Sequence, residues 1–452
     1  MAVLSRVLAL RTLTSTSAGL AFSCVNFLAC VQLAQAVGGA GGAWIALLTA
    51  GLLCSLGAFY FSELNGMYPS AAALRLWMNR AVGETFALTV TFLYLSTILW
   101  VIAADTFVLA VTTQAGVPAV PGLVWIFLFL GAALAANLRG VKIAGLLQDA
   151  TTFTLLGTMA LVSLAALARR GFHLAAPFSF GGGPVPLAGP LHFLQAVAVG
   201  IFIYMGFEWI TPLAEESKDH RRLPTAMFLG LTLVGGGFIL FTLAETNLLP
   251  ASGLAGSLVP QLLVGRTAFG DFGFWLMLAV SVVTALTTFN GGFVTASRFI
   301  YACGRERSLP PVFSRLNRHF VPDFALLVLG GASLVLAVLV YLTGEYTFLL
   351  GAGAALEAFI YAVAAWCVIC LRRREPQTPR PFRIWGGTVV PWIGLVIFTL
   401  LSLLVATVNP WSVLFLLGLG ALSAYYCLKV VPGLRQKYAL PRRRRQPVAT
   451  EK

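Results

Sequence analysis

Four carboxyl side chains, Glu63, Asp105, Glu208 and Glu357, stand within or at the ends of apolar runs long enough to cross a bilayer. An ionisable group at membrane depth is costly, so each is a candidate for a substrate, ion or proton pathway, or for a pairing inside a helix bundle. Glu208 belongs to the most informative stretch, Val197–Thr225. There Phe202, Tyr204, Phe207 and Trp209 surround Gly206 ahead of a dense charged loop. A lipid-facing helix would not carry that acid, so the stretch reads as a helix with an interior task. Thr284, Thr287 and Thr288 have the i, i+3, i+4 spacing that puts three hydroxyls on one helical face. Such oxygens, with carbonyls from a second helix, suit sodium; alternatively each hydroxyl bonds back to a carbonyl one turn earlier. Asp105 offers a proton route, or a partner for a hydroxyl.

Catalytic constellations are not indicated. The sequence has no HExxH, no GxSxG and no P-loop, and its four His residues fall mostly in loops. Cys367 and Cys370 form a CxxC without a second pair or a nearby His, which reads as structural rather than metal-binding. The seven cysteines scatter through apolar sequence and imply no disulfide framework. No cofactor is expected beyond a sodium ion or a proton as coupling species.

These residues must be positioned by membrane helices. The chain of 452 residues is 59% hydrophobic and 10% charged, against about 25% charged in soluble proteins. Runs of spanning length, about 20 residues each, fall near 14–37, 43–67, 84–113, 120–137 and 145–168. Further runs lie near 191–212, 223–247, 271–302, 323–342 and 346–371, with two more at 388–408 and 411–431. Five is odd, so a second block of five enters the membrane from the opposite side, and the two blocks can form an inverted repeat. The first run follows Arg6 and Arg11 and ends in Ala34-Gln-Ala36, as a signal peptide would, but Ser17, Ser23 and Asn26 interrupt it, so it reads as a retained first span.

A formal net charge of +14 would in a soluble chain raise nucleic-acid binding; here the placement of the charges explains them better. With a cytoplasmic N-terminus, all but Arg169, Arg170 and Arg266 of the 30 Lys and Arg residues fall on the inner side. The expected organisation is a cytoplasmic N-terminus (1–13), a first five-helix repeat (14–168), an extracellular loop (169–190) and a second repeat (191–371). A cytoplasmic loop (372–387), spans eleven and twelve (388–431) and a basic cytoplasmic tail (432–452) follow. Arg442 to Arg445 in that tail could touch anionic lipid or simply anchor the topology.

The run Leu213-Ala-Glu-Glu-Ser-Lys-Asp-His-Arg-Arg-Leu-Pro224 resembles the sixth helix and following loop of the amino acid-polyamine-organocation (APC) transporters. So do Phe61-Ser-Glu63-Leu64 with Pro69, Asn137-Leu-Arg-Gly-Val-Lys142, and Ser297-Arg298-Phe-Ile-Tyr301-Ala302 through Arg305-Glu-Arg-Ser-Leu-Pro310. The resemblance implies an all-α integral membrane protein of LeuT-type fold, with a 5+5 inverted repeat, twelve helices, and spans one and six broken near mid-membrane. It implies that substrate sits between the breaks, at Ser23, Cys24, Val25 and Asn26 of span one and Phe202, Ile203, Tyr204, Met205 and Gly206 of span six. The substrate carboxylate would meet N–H groups of span one and its ammonium the carbonyls near Phe202, Ile203 and Met205, with the Phe202 ring closing over it. Relatives usually carry Gly-Ser/Thr-Gly at the first break, where alignment puts Val25-Asn26-Phe27, with Gly19 the only nearby glycine. Without glycine an unwound backbone is costlier, which leaves two readings: Ser23 and Asn26 side chains complete the site, or the pocket suits a smaller or atypical substrate. Asn26 is equally an interhelical hydrogen bond. Glu63 and Glu208 are expected to tie the cytoplasmic half together through Arg139 or Arg298. Span five carries Leu155 where many proton-coupled relatives carry a lysine, and has no Lys or Arg between Ile143 and Ala168.

The expected function is secondary active transport of amino acids or related amines across the cell membrane by alternating access, in a multi-pass protein with both termini cytoplasmic. The alternative is a non-transporting sensor on the same fold. The partners are a small molecule and membrane lipid, with no nucleic acid. A cysteine introduced beside Lys218 should be blocked from outside intact cells and one beside Ser257 labelled; the opposite pattern would invert the topology.

Overall fold

The computed structural model describes residues 6–170, 179–180, 183–184, 189–249, 253, 256–408 and 410–438. The expected loop 169–190 and tail 432–452 therefore lie largely outside the described residues, Arg442 to Arg445 included. Apolar runs fold as helices because lipid offers no partner for backbone N–H and C=O groups. The first run is a pair, α1 (Leu10–Ala21) and α2 (Val25–Val37), bent by 57°. It is followed by α3 (Ala40–Met67), α4 (Ala73–Ala81), α5 (Glu84–Gly116), α6 (Gly122–Leu138) and α7 (Val141–Arg170). Two short strands, Ser179–Phe180 and Gly183–Pro184, pair antiparallel ahead of α8 (Pro190–Tyr204), which passes into a 3-10 segment, Phe207–Glu215. Then come α9 (Leu223–Leu248), α10 (Pro260–Arg305), α11 (Asp323–Thr343), α12 (Tyr346–Arg374), α13 (Val389–Val408) and α14 (Pro410–Tyr425).

Among the described residues nine helices are long and apolar enough to cross a membrane, ten with the bent pair; Gly122–Leu138 and Val389–Val405 are shorter apolar helices. Large apolar side chains such as Leu52, Leu161, Leu342, Leu400 and Leu422 face outward, as lipid contact requires. Two elements escaped the hydropathy pattern. The short helix α4 is amphipathic and buries Leu74, Trp77 and Met78. The 46-residue α10 turns at Phe269 and Gly270, whose φ of 64° suits glycine, so Pro260–Ala268 folds back over the bundle.

Polar side chains join the helices internally. Asn137 Nδ2 donates to Asn290 Oδ1 at 2.8 Å, Asn290 Nδ2 to Gln148 Oε1 at 2.7 Å, and Gln148 Nε2 to the Ser15 carbonyl at 3.2 Å. That chain links α6, α10, α7 and α1. Gly19 makes the approach of α1 to α7 possible, since a Cβ there would collide with Gln148 and Thr152.

The end of the bundle that carries most of the basic residues is closed by ion pairs. Glu216 and Arg298, both fully buried, are joined at 2.8 and 3.3 Å, and Glu215 holds Arg305 at 2.7 Å. Leu8 pairs in parallel with Ser217, and the Lys218 N–H donates to the Leu8 carbonyl at 2.9 Å. The N-terminal segment is thereby laid across this end. Asp149 of α7 takes Arg11, Thr12 and Ser15 of α1. The expectation for Glu63 is corrected here: its carboxylate holds Arg372 at 2.8 and 2.5 Å, Arg380 at 3.4 Å and the Ile384 N–H at 2.9 Å, not Arg139 or Arg298. Those arginines lie some 310 positions along the chain, in or just beyond the end of α12, so no local pattern announces the pair.

Candidate functional site

The break in the first span comes earlier than the alignment placed it. Val25, Asn26 and Phe27 are helical, and the non-helical residues are Phe22, Ser23 and Cys24. No glycine is needed because side chains from other helices take the exposed backbone groups. The Phe22 carbonyl accepts from Thr288 Oγ1 at 2.9 Å and Thr287 Oγ1 at 3.5 Å. Both hydroxyls also reach the Thr284 carbonyl, at 3.3 and 2.6 Å, while Thr284 bonds back to the Val280 carbonyl at 2.6 Å. At the start of α2, the Val25 N–H and the Ser23 hydroxyl both donate to Asp105 Oδ1, at 3.0 and 2.8 Å. Asp105 belongs to α5 and is fully buried. It does for α2 what an N-cap side chain does for a helix in water, placing a carboxylate on the positive end of the helix dipole.

The second break is built on glycine. Tyr204 ends α8, the Met205 N–H bonds to the Phe202 carbonyl at 3.1 Å, and Gly206 has φ 129°. A Cβ on Gly206 would lie 2.9 Å from the Ala21 nitrogen and 3.1 Å from Leu20 Cβ, so here the two breaks touch. Asn26 fastens them: its Nδ2 donates to the Ala21 carbonyl at 2.6 Å and to the Ile203 carbonyl at 3.1 Å. Glu208, one turn on, accepts from Tyr94 and Tyr361 hydroxyls at 3.2 Å each and from the Gly206 N–H at 3.3 Å. The Glu357 carboxyl of α12 lies against it. The expected arginine partner of Glu208 is thus replaced by two tyrosines and a second acid.

Among the residues singled out from sequence, Ser23, Val25, Asn26, Asp105, Thr287, Thr288, Ile203 and Gly206 meet around the two breaks. Cys24 lies beside them, with Gln261 of the folded-back segment at 3.9 Å from its sulfur. Gln261 also bonds Thr112 and Ser281, each at 3.2 Å, and so covers this side. Tyr204 turns away, its ring set against Gly51 and Gly235. Phe202 lies at the wall of a cavity of about 350 Å³ between α2, α8 and α12, and its ring packs on Gly353. Tyr94, Tyr361 and Gln261 were not read from sequence, because a lone polar residue in an apolar run has no periodicity to reveal its partner.

Two broken apolar helices that meet at their breaks, with acids and hydroxyls gathered on them, are the architecture of a membrane transporter. A solved Na+-coupled sialic acid symporter, captured substrate-bound and outward-open, has the same fold at TM-score 0.57 and 12% identity, over 89% of this chain and 91% of that chain. That likeness makes the architecture LeuT-type. The chain matches the amino acid permease family over residues 8–429, and it belongs to that family. It is 26% identical over 383 residues to the gamma-aminobutyric acid permease of Escherichia coli (strain K12), covering 80% of each chain. It is 27% identical over 412 residues to the uncharacterized amino acid permease YvbW of Bacillus subtilis (strain 168), covering 86% of this chain and 88% of the relative.

Glu208 depends on its tyrosine donors, and a buried carboxylate stripped of a donor loses about 1–3 kcal/mol. Replacing Tyr94 and Tyr361 together by Phe should lower the melting temperature of detergent-solubilised protein more than either single change. Equal melting of all four proteins would show that the cluster contributes nothing to the fold.

Proposed function

We propose that this permease moves an amino acid or related amine across the cell membrane by alternating access, with the substrate held between the breaks at Phe22–Cys24 and Met205–Gly206. The observation that carries the reading is the meeting of those breaks at Ala21 and Gly206, fastened by Asn26. Unwound backbone at membrane depth persists only where it is buried in protein or lines a pathway. The Escherichia coli relative, a gamma-aminobutyric acid permease, supports a small amino-bearing substrate. The chain has twelve spans in this reading, with the basic end and both termini in the cytoplasm, because that end carries most of the Lys and Arg. The Glu216–Arg298 pair and the Leu8–Ser217 bridge then form the inner gate, which must part for release. Phe202, which lines the cavity three residues before Met205, is the outer lid.

Uptake into proteoliposomes tests this. Phe202→Ala should reduce uptake at least tenfold with little loss of folded protein, and Phe202→Leu should keep part of it; normal uptake by Phe202→Ala would remove the lid. For coupling, the Thr287 and Thr288 hydroxyls on the Phe22 carbonyl supply hard oxygens from two helices, the kind of ligand a sodium ion takes. Substrate affinity should then rise when sodium replaces choline at constant ionic strength, and Thr288→Val should abolish the rise. Equal affinity in the two salts would exclude the sodium site and leave sodium-independent exchange or a proton route through Asp105.

A further inference from the structure

The amino end of α2 has no donor left for a substrate carboxylate. The Val25 N–H goes to Asp105 and the Cys24 N–H faces the same carboxyl, while the Asn26 N–H goes to the Ser23 carbonyl at 3.0 Å and the Phe27 N–H to the Cys24 carbonyl at 3.3 Å. The favourable field at a helix N-terminus is an anion site, and here an anion from α5 fills it. What remains unpaired around it accepts rather than donates. Asp105 Oδ2 and Asn26 Oδ1 are both buried without a hydrogen-bond partner. The Asn26 amide is oriented by its own bonds, since both partners of Nδ2 are carbonyls, which can only accept. Among the described residues no Lys, Arg or His is paired with Asp105. Buried acceptors without donors are expensive, and the group that satisfies both a carboxylate oxygen and an amide oxygen is a cation bearing several N–H bonds.

We propose that Asp105 is the substrate's counter-charge, so that this permease takes an organic ammonium compound with no carboxylate on the ammonium-bearing carbon: a simple amine, a polyamine or an ω-amino acid. The inference rests on the reading that substrate sits between the two breaks, and it narrows that reading from amino acids in general. An α-amino acid placed with its ammonium on Asp105 brings its own carboxylate beside a second carboxylate, at a helix end with no free N–H group. A compound whose carboxylate is absent or several carbons away avoids both conflicts. Such a residue selects between substrates by penalising the wrong one as much as by binding the right one.

The test compares matched pairs on purified full-length protein by isothermal titration: putrescine with ornithine, gamma-aminobutyric acid with glutamate, and isoamylamine with leucine. The decarboxylated member of the pair that binds best should bind at least tenfold more tightly than its α-amino acid, and Asp105→Asn should remove that preference by weakening the amine. An α-amino acid that binds as well as or better than its amine, or an amine whose affinity is unchanged in Asp105→Asn, overturns the proposal, as does binding of no amine at all. Should Asp105→Asn fail to fold, the ratio in the unaltered protein decides alone. Proteoliposome flux separates the two claims: tight amine binding without uptake defeats the transport reading and leaves the role of Asp105 standing. Uptake of α-amino acids with no amine bound does the reverse.

Discussion

A helix that stops in mid-membrane leaves backbone N–H and C=O groups with no water to take them, and the rest of this structure follows from how those groups are satisfied. In the first span the partners are side chains imported from two other helices: Asp105 of α5 on the Val25 N–H and Thr288 of α10 on the Phe22 carbonyl. In the second the chain uses a glycine in a left-handed conformation and the neighbouring Glu208. The two solutions interlock, because Asn26 spends both amide hydrogens on carbonyls of the two breaks. Moving one break without the other would strand those carbonyls. The mid-membrane region therefore behaves as one unit, shared by the two halves of the fold.

The ends of the bundle are built on different chemistry. One is closed by buried or half-buried carboxylate–arginine pairs, each of which must be exchanged for water or another partner when that end opens. Breaking a buried pair by deleting one member is strongly destabilising, roughly 3–5 kcal/mol, but hydration of both members together is a smaller change. Glu216–Arg298, fully buried, is the pair on which that exchange weighs most. On the opposite side Phe202 stands at the wall of a cavity and Gln261 is bonded to Thr112 and Ser281. In the proposed cycle, ion pairs at one side and packed side chains at the other would serve as separate gates.

Much of the architecture was legible in sequence because membrane insertion writes it there: apolar runs of fixed length and a one-sided distribution of Lys and Arg. The second break was expected from the family resemblance alone; Gly206 among aromatics beside an acid marked an interior helix and not its break. The first was displaced by three residues because the expected signal, glycine, is absent. What replaces it lies 82 positions away at Asp105 and 266 away at Thr288. Asp105 stood out as an intramembrane acid without an explanation, but only the folded chain shows it on the end of α2. Glu63 finds arginines other than the two expected, and Glu208 finds tyrosines instead, for the same reason. An acid announces that it needs a partner, and not which of many distant residues will supply it. The helix α4 went unread because its amphipathic face is too short for a hydropathy window.

In the proposed site, ligand occupies the space where the two breaks meet, with Asp105 facing its cationic group. The most direct measurement is an experimental structure of the protein in lipid nanodiscs with its best-binding amine. Ligand density is expected between Ala21–Val25 and Phe202–Gly206, with the nitrogen within hydrogen-bond distance of Asp105. Density confined to the cavity on the other side of Phe202, with the breaks unchanged and Asp105 Oδ2 still unpaired, would contradict it.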